Sequence, residues 1–457
     1  MSLKTNAYGA KAQLRTNICM NAIAQTLTPI VGDSNLYQGD TLPPLWQERL
    51  KRTYGIDTIT STLVFPTTVQ QLCQVVECAN THNWQVLPSG NGSKLAWAGV
   101  GKPVDVVIST QNLNQVIDHA VGDLTVTAQA GVKLADLQPI LLKTNQFLPL
   151  EPAYPEAATL GGIISTADSG SWRQRYGGVR DMLLGVSFVR SDGQLAKAGG
   201  RVVKNVAGYD LMKLLTGAYG TLGILTEVTF RLYPVQEASG TVVLTGEAEA
   251  LASTTQTLLA SALTPTAADL LSSGLVKQLD IGKGMGLMVR FQSVTKSVQE
   301  QSSRLLEVGQ QLGLQGTLYQ DSDEVTLWQS LPEQIWGMPQ STAITCKIGI
   351  VPTAAVMILT VLDTLTSGTG LGLIHAGSGL GKVRFEPKTV KPETILKMRE
   401  HCQSHSGFLT VLEAPISVKQ QLDVWGYSGN ALDIMRQIKQ KFDPKMLLSP
   451  NRFVGDI

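Results

Sequence analysis

Three glycine-rich segments constrain this chain more than any other feature. They are LPSGNGSKL (Leu87–Leu95), TLGGIISTADSG (Thr159–Gly170) and AYGTLGIL (Ala218–Leu225). Glycine has no Cβ, so its backbone can approach another group closely and enter left-handed conformations. Successive exposed N–H groups can then face an anion without a positive side chain. One such loop reads equally well as a surface turn. Three of them, set among alternating strands and helices, read as a cradle for a large phosphorylated cofactor.

The flanking patterns place these segments at the ends of elements. In FPTTVQQLCQVVECANTHNW, Thr67 or Thr68 can cap a helix whose apolar residues Val69, Leu72, Cys73, Val76 and Ala79 share one face. Asn80–Asn83 ends it, and the short strand Trp84–Leu87 delivers the chain into PSGNGSK (Pro88–Lys94). Pro103–Thr110 reads as a buried strand, Asp123–Gly131 as a half-buried one and Leu134–Lys143 as a short helix. Leu183–Gly199 is a hairpin turning at Ser191-Asp192-Gly193. Gly208–Pro234 is a helix, a glycine turn and a strand.

A length of 457 residues predicts two or three domains. Residues 1–56 read as an N-terminal helical extension and 57–236 as a dense α/β region. Residues 237–430 read as a second domain without a glycine cradle, and 431–457 as a segment returning to the first. A net charge of +1 argues against a nucleic-acid partner. Only 16% of residues are charged, against about a quarter in ordinary soluble domains. Either a large core or a surface covered by a partner subunit accounts for that.

The five cysteines (Cys19, Cys73, Cys78, Cys346, Cys402) have no CxxC spacing and are expected as free thiols, with no metal site. The N-terminal run is too diluted by Asn21 and Gln25 for a signal-peptide core, and Ile348–Leu362, broken by Pro352, is too short to span a bilayer. A cytoplasmic protein is expected, peripheral to a membrane at most through a partner.

Rival nucleotide motifs fail. GSGLGKV (Gly377–Val383) lacks the first glycine and the final hydroxyl of a phosphate-binding P-loop, and no GxGxxG follows an N-terminal strand. His375, in LIHAGSG, is the candidate general base, with a backbone-satisfied loop histidine as the alternative. His401 and His405 are spaced for chelation but sit among serines, as at a solvated helix end.

The order PSGNGS, TLGGIIST, RYGGVRD, KNVAGYDL and GTLGILTE resembles the FAD-binding domain of the vanillyl-alcohol-oxidase superfamily, of the PCMH type. KNVAGYDL and its spacing are most similar to the FAD-binding subunits of bacterial glycolate oxidase, the smaller E subunit above all. The resemblance is strong over 57–236. Beyond, it rests on LIHAGSGLGKVRF, GFLTVLEAP and DPKMLLSPNRF.

The resemblance implies an α+β fold: a two-subdomain FAD-binding domain with an α/β cap. It implies FAD held by Pro88, Ser89, Gly90, Asn91, Gly92, Ser93 and Lys94 at the pyrophosphate. Thr159, Gly161, Gly162, Ser165, Thr166, Asp168, Ser169 and Gly170 would line the ribityl chain and ring, and Gly220, Gly223 and Ile224 would supply backbone contacts. Gly92 stands where some relatives carry a flavin-linking histidine, so non-covalent FAD is implied. A small 2-hydroxy acid such as glycolate is the implied substrate. A larger FAD subunit and an iron–sulfur subunit are the implied partners. Ser378 and Gly379 stand where catalytic subunits place an acidic group, which leaves a non-catalytic flavin subunit as the rival reading, beside a stand-alone oxidase of another hydroxy acid or polyol.

Overall fold

A computed structural model of the chain describes residues 20–201, 208–337, 343–386 and 390–457. Lys204–Ala207 of the KNVAGYDL motif, and Cys19, lie outside the described residues. The first helix of the cradle region runs Val69–His82. The Thr68 hydroxyl accepts the Gln71 N–H, Asn83 closes the helix in a left-handed conformation, and Leu72, Val75, Val76 and Ala79 form the buried face. The strand Val86–Ser89 follows. It runs parallel to Val106–Ser109, which runs parallel to Thr62–Val64.

Leu36–Tyr37 completes this four-stranded sheet as its antiparallel edge. A helix over 20–31 lays Ile23, Leu27 and Val31 into the same core as Leu72, Val75 and Val106. The described part of the expected extension therefore supplies both an edge strand and a core face. A two-residue strand is too short to leave a periodic signature in sequence.

The second sheet has five antiparallel strands, in the order Val116–Ala120, Thr125–Gln129, Ile224–Arg231, Leu183–Val189, Leu195–Gly199. Helices Leu134–Leu142 and Leu160–Thr166 pack on it. The second of these departs from the expected glycine loop. TLGGIIST is helical from Leu160, capped by Thr159, because Leu160, Ile163 and Ile164 all reach the core and their burial outweighs the poor helix propensity of two glycines.

Residues 238–413 build an eight-stranded sheet whose neighbours are all antiparallel. Alternate residues of each strand enter different cores, as the two-residue period requires. Val242, Leu287, Ile374 and Val411 pack with the helices Ala248–Ala260, Thr295–Gln311, Ala355–Thr366 and Pro392–Ser404. Val243, Met288, Leu373 and Leu412 face Trp97 and Ala153 of the first half, together with the helix Asp321–Trp336. Glu413 pins this second interface by accepting from Trp97 Nε1 at 2.9 Å and from the Tyr154 hydroxyl at 2.7 Å.

After the helix Leu432–Phe442 the chain turns back to the first sheet. The Val86 N–H donates to Leu447 O and the Ser449 N–H to Val86 O, both at 2.8 Å. The buried Lys439 ties this turn together by donating to Thr221 O, Leu448 O and the Asp443 carboxylate.

Two further buried cations clamp the loop that follows the first glycine segment. Arg452 donates to the carbonyls of Leu95, Trp97 and Gly99. Lys419, from the far domain, donates to those of Ala96, Ala98 and Leu412. Burial, reinforced by the Arg452 charge, pulls the Lys419 pKa down to about 7 from an ordinary 10.5. The unfolded chain then binds the extra proton between those values, so stability rises with pH from about 7 towards 10.5. Lys419→Met is expected to flatten that rise, read from urea midpoints at a series of pH values.

Candidate functional site

The glycine segments converge. Pro88, Ser89, Gly90, Asn91, Gly92, Ser93, Lys94, Thr159, Gly161, Gly162, Ser165, Thr166, Gly220, Gly223 and Ile224 all line one cavity of about 100 Å³, with Tyr219 and Arg452. The glycines have different tasks there. A Cβ on Gly90 would lie 2.0 Å from Thr159 Oγ1, so the first loop and the helix cap interlock. A Cβ on Gly161 would press on Ala130, at 3.0 Å from its Cβ and 3.1 Å from its carbonyl oxygen. A Cβ on Gly162 would meet only Thr159 Oγ1, at 3.1 Å, and otherwise enters the cavity. Of the paired glycines, Gly161 serves packing and Gly162 leaves its open side to the cavity.

Asp168, Ser169 and Gly170 stand further along. Asp168 and Ser169 line a small neighbouring cavity of about 20 Å³, which shares Thr166 and Tyr219 with the first. Gly170 lines a third cavity, of about 660 Å³. His375 and Lys382 line both the second and the third, so the three follow one another along the interface between the two halves.

The expected cofactor contact at Asp168 is taken up by the protein. Its carboxylate lies 2.7 Å from Lys94 Nζ, accepts the Ala153 N–H at 2.7 Å and lies 3.7 Å from Lys382 Nζ. Burial pushes this carboxyl up, but Lys94, Lys382 and the Ala153 N–H together outweigh it and hold the pKa below the ordinary value. The Ser169 hydroxyl accepts from Arg173 and its carbonyl from Lys382. A Cβ on Gly170 would lie 2.4 Å from Glu151 Cβ, so that glycine serves packing.

His375 has a partner that sequence alone does not reveal. Asp269 stands directly opposite it on the neighbouring antiparallel strand, which puts both side chains on one face of the sheet. Nδ1 lies 2.6 Å from Asp269 Oδ1, and both residues are buried. A carboxylate only accepts, so Nδ1 carries a proton, and in the neutral imidazole Nε2 keeps a free lone pair. Nε2 makes no hydrogen bond among the described residues.

Lys347 lines the small cavity beside His375. It has no ion pair among the described residues, and burial depresses its pKa. Glu151, whose pKa burial raises, lines the large cavity. A weak signal for these residues exists in the sequence. Asp269 and Lys347 are lone charges in the apolar strands AADLL and ITCKIG, and a charge there must find a partner or a ligand. His401 is exposed and His405 half-buried at the end of the helix Pro392–Ser404, with His405 Nδ1 on the His401 carbonyl, as at a solvated helix end. No cluster of three or more metal-ligating side chains occurs among the described residues.

Two observations fit this cradle to FAD. The open side of Gly162 leaves room for a ligand to approach the backbone. The buried Lys94 ammonium, although close to Asp168, has no well-aligned hydrogen-bond partner and so retains donors beside the phosphate loop.

Comparison with known proteins agrees. Residues 60–199 match the family described as FAD binding domain. The chain is 27% identical over 233 residues to glycolate oxidase subunit GlcD of Bacillus subtilis, covering 51% of this chain and 50% of that protein. It is 35% identical over 172 residues to glycolate oxidase subunit GlcE of Escherichia coli, covering 37% and 48%. The chain thus spans about half the length of these curated relatives. Among solved structures, p-cresol methylhydroxylase with substrate bound superposes with a TM-score of 0.71 at 16% identity, over 95% of this chain and 96% of the other, which establishes a shared fold. No helix among the described residues is long and apolar enough to cross a membrane.

Proposed function

We propose that this chain, which carries an FAD binding domain over residues 60–199, holds FAD non-covalently and oxidises the CH–OH carbon of a 2-hydroxy acid. The observation that carries the reading is the run of cavities from the glycine cradle to the His375–Asp269 pair. Pro88–Lys94 would hold the pyrophosphate. Gly162, Ser165 and Thr166 would line the ribityl side, and Gly220–Ile224 would add backbone contacts.

Lys347 and Lys382 line the small cavity beside His375, where they would meet a substrate carboxylate. His375 Nε2 accepts the hydroxyl proton, and Asp269 stabilises the resulting imidazolium. FAD held in the cradle would supply the two-electron acceptor needed to take the 2-hydroxy acid to the 2-oxo acid. Anaerobic mixing of the holoprotein with a panel of hydroxy acids tests the reading; flavin that stays oxidised with every member overturns it.

Non-covalent attachment has its own check. The resemblance sets Gly92 at the linking position, where it has no side chain to form a bond, and its φ of +76° suits glycine. Acid precipitation is expected to leave the yellow colour in the supernatant, and colour in the pellet would refute this attachment.

The similarity to glycolate oxidase subunits supports placement in a multi-subunit complex with a larger FAD subunit and an iron–sulfur subunit, in the cytoplasm or at a membrane through those partners. None of the four cysteines among the described residues is disulfide-bonded, and none belongs to a metal-binding cluster, so an iron–sulfur relay would come from a partner. Co-purification from native extract tests this; full dye-linked turnover by a lone monomer contradicts it. A second reading, a non-catalytic flavin relay subunit, is favoured by Ser378 and Gly379 in place of an acidic group. The same anaerobic experiment separates the two.

A further inference from the structure

Resting on the hydroxy-acid reading above, we infer that the substrate carries a bulky apolar or aromatic side chain, seated in the large cavity beside His375, and is neither a two-carbon acid nor a dicarboxylate. Glycolate fills roughly the space of three waters, about 90 Å³. The cavity measures about 660 Å³, within the roughly 300–1,000 Å³ of sites that enclose drug-sized ligands. A flavin ring reaching into it would take the space of about seven waters, roughly 200 Å³, and leave most of it to fill. A small polar substrate would leave this volume to loose water and apolar walls.

The walls specify the side chain. Trp172, Trp328 and Trp336 line the cavity with Leu134, Leu331 and Leu373. The wall at Trp336 is rigid, since its ring stacks on Trp97 at 5.2 Å and carries Lys382 Nζ at 4.7 Å from its centroid. The charges specify polarity. The cationic end is Lys382 beside His375. The carboxyl groups of Glu151, Glu156 and Glu333 line the remainder, Glu156 and Glu333 being exposed. Away from Lys382, a second carboxylate on the substrate would meet these acidic groups. An aromatic ring would instead stack on the tryptophans.

The test compares glycolate, 2-hydroxyglutarate and phenyllactate, in both enantiomers where they exist, in anaerobic flavin reduction by the full holoprotein. It also measures, by calorimetry, binding of phenylpropionate and acetate, which carry no hydroxyl and do not react. Phenyllactate is expected to reduce the flavin at least 100-fold more efficiently than glycolate, and phenylpropionate to bind at least 100-fold more tightly than acetate. Ala135→Phe, which narrows the cavity from the helix Leu134–Leu142, should weaken phenylpropionate at least tenfold with flavin content at the parent level. Tight phenylpropionate binding without reduction by any hydroxy acid would remove the oxidase reading and keep this ligand class. Glycolate or 2-hydroxyglutarate equalling phenyllactate, or phenylpropionate binding no better than acetate, would overturn the inference and leave hydroxy-acid oxidation standing.

Discussion

Gly162→Val is expected to emerge from purification nearly colourless, with flavin retention weakened about 100-fold, equivalent to about 3 kcal/mol. The first added carbon meets only the Thr159 hydroxyl, at 3.1 Å, and the two beyond it project where the ligand lies. Glycine is also the poorest helix former but proline, so a valine in this helix carries little propensity penalty. Loss of flavin should therefore come without loss of fold. Gly161→Val gives the contrast, because its Cβ presses on Ala130 and must lower the unfolding midpoint. Ser404→Ala, at an exposed helix end, should change neither. The checks are the flavin-to-protein absorbance ratio and a thermal melt. Normal flavin content in Gly162→Val would remove this glycine from the binding surface.

His375→Gln is expected to slow anaerobic flavin reduction by about 10²–10⁴-fold while flavin content stays at the parent level. Glutamine preserves polarity near Asp269 but offers no base at the Nε2 position. Asp269→Asn acts one step back. Its amide can donate as well as accept, so the imidazole loses the partner that fixes its tautomer. That variant is expected to lower kcat with KM little changed, since neither Lys347 nor Lys382 is disturbed. A parent reduction rate in His375→Gln would leave the histidine a structural role only.

The cradle was legible because its information is local. The Thr68 cap, the apolar face of Val69–His82 and the strand entering Pro88 all lie within a short stretch of chain. The Ser191-Asp192-Gly193 hairpin was legible for the same reason. The glycine pair in TLGGIIST misled in part. Two glycines suggest a loop, yet the three apolar residues around them decide for a helix once a sheet is available to bury them.

The reactive end of the site was the least legible part. His375 was visible as a residue, but its orientation depends on Asp269, 106 positions earlier, and on a strand register that only the assembled sheet defines. Asp168 shows the same limit. A polar residue beside a glycine pair reads as a ligand contact, and only the folded chain reveals its protein partners, Lys94 and the Ala153 N–H. The large cavity left no trace at all, since its walls come from separated stretches of sequence between Leu134 and Lys382.

Arg452 and Leu95, which it grips, are 357 positions apart. The strand that feeds Pro88 is braced from the same distant stretch, since Leu447 and Ser449 complete its edge. Cutting the chain ahead of Leu447 would keep every glycine of the cradle and remove this support, so the cradle is a property of the assembled fold and not of its own stretch of sequence.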